Sequence, residues 1–168
     1  MKIIKLVFFI VSAIIITSCI GEPTRSPYIQ VRNIAINSDT ITSTATPVPV
    51  GDTLQIELDL YGFVDDLIYF NINTDREYAK DSIADQEEFL KYCNPLYTNA
   101  KEGTYSFIPG VQNIHLTLFL IAKRAKEDEK SKIPVSLSIK SACEAEEEYN
   151  PYFLNFNYYI TANKEWNN

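Results

Sequence analysis

Apolar and polar residues alternate strictly in several segments of the chain, and the clearest of these is 54–60. Leucine or isoleucine occupies every second position there, and acidic or amide residues lie between them. A strand with one face on a core and the other in water has this pattern. The segments 114–121, 133–139 and 154–160 repeat it. In 114–121 both faces become apolar towards the end, which predicts a central strand.

Two less regular segments are also rich in β-forming residues. In 28–36 the apolar positions change parity between Val31 and Ile34, which predicts a β-bulge. Segment 40–50 is rich in threonine and contains two prolines that cannot donate to a central ladder. We therefore expect 40–50 to form an edge strand or a loop.

Two shorter strands are predicted beside turns. Segment 67–73 follows a turn at 62–66, which predicts that it forms a hairpin with 54–60. Segment 105–108 ends at the Pro109–Gly110 dipeptide, a strong turn signal. The charged stretch 123–132 separates two of the regular strands and is predicted to be a solvated hairpin loop.

One helix is predicted, over residues 81–92. Asp81 and Ser82 are candidate N-caps, acidic residues occupy the first turns, and Pro95 would end the helix. About seven strands with connections of Greek-key length predict an immunoglobulin-like antiparallel β-sandwich with this one short helix. The single domain is predicted to span 28–162, followed by a polar tail at 163–168.

The first 18 residues have the layout of a secretory signal peptide. Lys2 and Lys5 precede an almost unbroken apolar run over 6–16, and small polar residues follow. A retained transmembrane helix is the alternative, but it needs about 20 apolar residues to cross the hydrocarbon core. The run is about half that long, so cleavage is expected.

The end of this leader, Ile16-Thr17-Ser18-Cys19, resembles the bacterial lipobox. The resemblance implies cleavage before Cys19 and acylation of that residue, including a palmitate-type chain; an ordinary signal with a chance cysteine is the alternative. Each buried methylene contributes about 0.8 kcal/mol, so two or three acyl chains hold a protein stably on a membrane. Residues 19–27 would then be a lipidated tether.

Composition excludes some partners. The formal charge of −7 becomes −9 once the two leader lysines are removed. An acidic chain without clustered basic and aromatic residues is a poor ligand for a phosphate backbone, so nucleic-acid binding is not expected. No cofactor is predicted, because the few glycines form no phosphate-binding loop.

Two cysteines remain after lipidation, Cys93 and Cys143. A disulfide between them is predicted, because envelope compartments are oxidising and closing such a loop stabilises a fold by roughly 4 kcal/mol. The alternative is two buried free thiols that pack as small apolar groups. No metal site is predicted, since there is no Cys-x-x-Cys pair and the only histidine is distant in sequence.

Catalytic candidates are few. His115 lies in a strand and is interpreted as a structural or surface residue; it is the only histidine that a nucleophile relay could use, and the sequence contains no Gly-x-Ser-x-Gly elbow. The pairs Asp65/Asp66 and Glu87/Glu88 offer carboxylates for a hydrolase, but adjacent acids are usually solvated surface. The acidic run 144–148 lacks the glycine and spacing of a calcium loop and is predicted to be solvated. We therefore expect a protein that is not an enzyme.

Aromatic residues are the more informative feature, with 11 tyrosines and 9 phenylalanines. Exposed tyrosines stack on sugar rings or anchor protein interfaces, although tyrosine also favours strands by propensity. Four tyrosines near predicted loops are binding candidates: Tyr61, Tyr97, Tyr149 and Tyr152.

The lipobox and the acidic β-rich domain together resemble small envelope lipoproteins of the Bacteroides type. This resemblance implies a lipid-anchored module, in the outer membrane because residues 20–22 lack a retention aspartate, that binds a glycan or an envelope protein. Two other functions stay open: a carboxylate-dependent glycan hydrolase, and a pilus-type subunit with an exchangeable edge strand at 28–36 or 152–162.

Overall fold

The computed structural model of the chain describes residues 26–125, 131–143 and 150–162. Several predicted features lie outside these ranges and stay predictions: the signal peptide, Cys19, Tyr149, the acidic run 144–148 and the polar tail.

The first sheet contains five antiparallel strands. From one edge to the other they are β2 (Asp39–Thr40), β1 (Tyr28–Ile36), β4 (Thr53–Tyr61), β8 (Asn113–Ala122) and β6 (Ala79–Ile83). Leucine and isoleucine at alternate positions of β4 and β8 are buried, and the residues between them, which include Phe119 and Ile121 in β8, face away from the core.

The second sheet also contains five strands. From one edge to the other they are β3 (Val48–Pro49), β10 (Tyr152–Thr161), β9 (Ser131–Ser141), β5 (Leu67–Thr74) and β7 (Thr104–Ser106). All neighbours are antiparallel except β3 and β10, which pair in parallel over two residues.

The strand order is that of an immunoglobulin-like β-sandwich. The series β1-β4-β8-β6 and β5-β9-β10 correspond to the A-B-E-D and C-F-G orders of that fold. One addition is the short strand β7, which joins the outer edge of β5. The chain reaches β7 from β6 through helix α1 (Gln86–Leu90) and a 3-10 turn (Ala100–Glu102).

The two sheets enclose one apolar core, built from the inward residues of both. Tyr158 of β10 is fully buried, and its hydroxyl donates a hydrogen bond of 3.0 Å to the carbonyl of Leu120 in β8. This bond joins the sheets directly and satisfies a polar group that would otherwise be costly to bury.

The predicted strands are confirmed, including the bulge. The pairing of β1 with β4 shifts register between Val31 and Asn33, within the segment where parity changes. β8 is an interior strand of its sheet, as its two apolar faces predict, with β4 on one side and β6 on the other. The proline-containing strand β3 lies at a sheet edge.

Two predicted hairpins are wrong. β4 and β5 belong to different sheets, so the 62–66 turn carries the chain across the sandwich. β8 and β9 likewise lie in different sheets, so these two strands do not form a hairpin; residues 126–130 of the predicted loop lie outside the described ranges. Alternation in the sequence identifies a strand but not the strand with which it pairs. Loops of similar length connect strands within one sheet and strands in different sheets.

The predicted helix is shorter than expected. Residues 81–83 belong to β6, which pairs with β8 from Ala79↔Ala122 to Ile83↔Leu118. Asp85 then adopts the left-handed conformation (φ +47°), and the helix begins only after it. As part of β6, this segment pairs with β8 along its length, and Ala79 and Ile83 are buried in the core.

The predicted Cys93–Cys143 disulfide is not formed, and both residues are buried free thiols. Cys93 pairs with Phe107 in an isolated bridge, the Phe107 N–H donates to the carbonyl of Ile68 in β5, and β9 lies on the other side of β5. Three strand spacings of about 4.8 Å place the cysteines about 14 Å apart across the sheet. Disulfide bonding requires Cα atoms within about 7 Å.

The two thiols also have different neighbours. The Cys93 Sγ lies 3.7 Å from the Phe89 carbonyl oxygen, whereas the Cys143 Sγ accepts a hydrogen bond of 3.3 Å from the Asn150 side-chain amide.

Within the described ranges, no helix has the length and apolar character needed to cross a bilayer.

We expect both thiols to be free and Cys93 to react slowly. Burial raises the pKa of Cys93 to about 11, and the thiolate is the reactive form. In protein lacking residues 1–25, a disulfide reagent should titrate two thiols per chain in denaturant without prior reduction. In the native protein Cys93 should react more slowly by on the order of a hundredfold. Thiols that appear only after reduction would contradict this assignment.

Candidate binding site

The outward face of the first sheet gathers polar and aromatic side chains at one end. The register places Tyr28 of β1 opposite Tyr61 of β4, and Tyr61 opposite Asn113 of β8. Two residues further along β4, Asp59 lies opposite His115. Because the inward positions of β4 and β8 are buried leucine and isoleucine, these residues must share the opposite face.

Asp59 is the centre of a charged network on this face. Its Oδ1 lies 2.8 Å from His115 Nδ1, and its Oδ2 accepts a hydrogen bond of 3.0 Å from the Tyr61 hydroxyl and another from Arg32 Nε. The Arg32 Nη2 donates to the Tyr61 hydroxyl at 2.9 Å. The network therefore spans three strands and fixes four side chains.

The network holds Asp59 ionised. The His115 hydrogen bond, with further bonds from Arg32 and Tyr61, lowers the pKa of Asp59 to about 2 despite the opposing effect of burial. The Asp59 side chain is only 14% exposed, whereas those of Arg32 and His115 are 49% and 61% exposed. A shielded carboxylate thus orients two exposed hydrogen-bonding groups towards solvent.

Three aromatic rings lie beside the network. The rings of Tyr28 and Tyr61 are almost parallel, with centroids 4.9 Å apart and an interplanar angle of 9°. Phe63 joins them, with its centroid 5.7 Å from that of Tyr28 and 6.1 Å from that of Tyr61. We name Tyr28, Tyr61 and Phe63 the aromatic platform.

The turn after β4 places Phe63 at this position. A Cβ on Gly62 would lie 2.3 Å from the Asp65 carbonyl oxygen, so only glycine fits there. Phe63 itself has a φ of +59°, which is strained for a bulky residue, and its side chain is 42% exposed. An exposed aromatic ring held in a strained turn is a feature of ligand-binding loops.

A cleft of about 400 Å³ adjoins the charged network. β6 ends at Ile83, so the first residues of β8 face helix α1 in place of a strand. The carbonyl oxygen of Thr117 accepts a hydrogen bond from the Ala84 N–H on that side. Main-chain groups point in the same direction at every second residue of a strand, so those of Asn113 and His115 also face helix α1. Asp85, Glu88 and Tyr92 are among the residues that form the opposite wall.

The structure brings together two of the four predicted tyrosines. Tyr61 belongs to the aromatic platform, and the ring of Tyr152 contacts that of Tyr28 edge-on at 6.5 Å. Tyr97 is 70% exposed and lies in the loop that follows helix α1. Tyr149 lies outside the described residues.

One member of each predicted acid pair has another partner. The Asp66 Oδ2 accepts a bond of 2.7 Å from the Gly110 main chain, and Glu88 forms an ion pair with Lys91. The sequence did not identify Tyr28, Arg32, Asp59 and Phe63 as residues of a binding site. No local sequence pattern marks these residues, because their grouping depends on the register between strands that are distant in sequence. Within the described ranges, no group of three or more metal-ligating side chains is present.

The chain is distantly similar to two solved structures. No protein-family model and no curated protein matches this sequence. A DUF4466 family protein from Parabacteroides merdae matches over 83% of this chain and 46% of its own, with a TM-score of 0.45 and 14% identity. Domains 4 and 5 of the S-layer protein SbsC match over 80% of this chain and 53% of their own, with a TM-score of 0.30 and 12% identity. The chain therefore spans about half the length of each.

We expect the stability difference between the wild type and Asp59→Asn to depend on pH. Asp59 has a depressed folded-state pKa, so its contribution is complete above its unfolded pKa of about 3.9 and is lost as pH falls towards 2. The free energy of unfolding should drop by about 1–2 kcal/mol in the variant near neutral pH.

Urea unfolding at several pH values would measure this difference, which should shrink below about pH 4. Asp39→Asn, at an exposed position of β2, is the matched control and should change stability little at any pH. A constant difference for Asp59→Asn across the pH range would show that the ionised carboxylate is not the stabilising species.

Proposed function

We propose that this protein is a lipid-anchored, non-catalytic module of the bacterial cell envelope that binds glycans through the aromatic platform and the Asp59 network. The observation that carries the proposal is the grouping of three near-parallel rings beside a fixed set of charged hydrogen-bonding groups. Sugar rings offer apolar C–H faces and hydroxyl edges, which match the two halves of this surface.

The hydrogen-bonding groups suit hydroxyl ligands in particular. Arg32 supplies donors, and because ionised Asp59 only accepts, His115 donates through Nδ1 and offers its second ring nitrogen to a ligand. The main-chain groups of Asn113 and His115 that face the adjoining cleft extend the set. A saccharide longer than one ring would reach from the platform to this cleft.

The anchor is proposed on the lipobox at 16–19, and the outer membrane on the absence of an aspartate after Cys19. The tether of nine residues reaches at most about 30 Å at full extension. It enters the domain at Tyr28, which belongs to the platform itself. Glycan binding would therefore take place close to the membrane.

The binding role is preferred to that of a pilus-type subunit. The outer edges of β1 and β10 are paired only at one end, with two-residue strands. β1, however, carries a bulge at Val31/Asn33, and Arg32 at this bulge is used in the Asp59 network. Bulges and charged residues are features by which natural sheets prevent edge-to-edge assembly.

Glycan binding should depend on the platform. On an array of neutral and acidic oligosaccharides, we expect the wild type to bind at least one class. Phe63→Ala should weaken that binding about fivefold, since one aromatic contact contributes about 1 kcal/mol. Tyr97→Ala removes a similarly exposed ring elsewhere and should bind as the wild type does. Absence of any bound glycan, or equal loss in both variants, would refute the proposal.

Lipidation should require Cys19 alone. In bacterial cells supplied with labelled palmitate, the wild-type protein should incorporate label, and so should Cys93→Ser and Cys143→Ser as matched controls. Cys19→Ser should incorporate none, because the thioether needs that sulfur. A free thiol at Cys19 in the purified wild-type protein, measured by mass spectrometry, would overturn the proposed anchor.

A further inference from the structure

A second cleft, of about 410 Å³, opens on the side of the sandwich. It lies where the edge strand β6 of the first sheet approaches the 3-10 turn that precedes β7 of the second. Four basic residues are among those that line it: Arg76, Lys80, Lys101 and Lys123. The cleft is remote from the aromatic platform, because β6 pairs with the end of β8 opposite to Asn113.

Arg76 is held rigidly in this cleft. Its Nε lies 3.0 Å from Asp81 Oδ1, and its Nη2 lies 3.3 Å from Asp81 Oδ2. The same Nη2 donates to the carbonyl of Ile72 at 3.2 Å. Asp81 is only 4% exposed and supports the guanidinium from beneath, and Nη1 is left without a partner among the described residues.

Gly103 permits this position of Arg76. A Cβ at residue 103 would lie 2.6 Å from Arg76 Nη2 and 2.5 Å from the Ile72 carbonyl oxygen. Gly103 also has a φ of +66°, which glycine adopts without strain. The backbone of the 103 region is therefore shaped to accommodate a fixed guanidinium.

The charges in this cleft are opposite in sign to those of the whole protein. Of its basic residues, Arg76 is neutralised by Asp81, and three lysines remain in a chain of net charge −7. The Nζ of Lys123 donates to the Arg76 carbonyl at 2.8 Å, which fixes that ammonium beside the guanidinium. Ser82 and Gln86 add neutral hydrogen-bonding groups to the lining.

We propose that this cleft binds an oxyanion, namely a phosphate or sulfate group. The free Nη1 of a fixed guanidinium and the ammonium groups around it are donors of the kind that recognise tetrahedral oxyanions. Clefts lined by one sign of charge concentrate ligands of the other sign. The group is either free in solution or carried by a lipid headgroup, and the two sources share this chemistry.

Inorganic phosphate is the direct probe. The whole lipid-anchored protein, purified in a non-ionic detergent, is titrated with phosphate at constant ionic strength and followed by amide NMR shifts. We expect saturable shifts at Arg76, Gly103 and Lys123, with a dissociation constant of about 1 mM. Absence of saturation at these amides would overturn the proposal.

Variants separate a specific site from general attraction. Lys80→Gln combined with Lys101→Gln removes two exposed ammonium groups and should weaken phosphate binding about tenfold. Lys132→Gln removes an exposed charge from β9, in the other sheet, and should leave binding unchanged. Equal weakening in both proteins would overturn the site.

Vesicles distinguish the two sources of the oxyanion. If vesicles containing phosphatidic acid compete with inorganic phosphate and plain phosphatidylcholine vesicles do not, the site takes a lipid headgroup. If neither competes while phosphate binds, the site takes a soluble oxyanion, which also supports the proposal. Displacement of phosphate by chloride alone at the same ionic strength would refute it.

Discussion

The contact between the inner faces of two sheets is the constraint on which this structure depends. β4, β8 and β9 contribute alternate leucine, isoleucine and valine residues that are almost completely buried. Burial of apolar surface contributes about 25 cal/mol per Å², and it is obtained only if every second residue of each strand faces inward. Tyr158 adds a hydrogen bond across the core to Leu120. A one-residue slip in any central strand would expose this set.

The same constraint creates the candidate binding surface. Once the inward positions of β4 and β8 are fixed, Asp59, Tyr61 and His115 have only the outward face available. The bulge in β1 then directs Arg32 to the Asp59 carboxylate. Register set by the core thus assembles a charged network whose members come from three distant parts of the sequence.

The two proposed sites use different physical means. On the sheet face, aromatic rings and hydroxyl-matching groups surround one shielded carboxylate, and this surface lies where the chain enters the domain from its proposed anchor. In the side cleft, one guanidinium is fixed by the buried Asp81 among lysines. A neutral or weakly acidic saccharide suits the first site, and a concentrated negative charge suits the second.

The sequence by itself determined the strands, because alternation is a local property that the covalent chain carries wherever it folds. It likewise indicated the bulge near Val31 and the β-sandwich class. It did not determine which strands pair. β4 and β5 follow each other in the chain but belong to different sheets, and Cys93 and Cys143 are separated by two strands. Tyr61 and Tyr152 were found from sequence, whereas Asp59 gained its role only opposite His115. Pairing and register are decided by burial of the whole core, and only the tertiary structure holds that information.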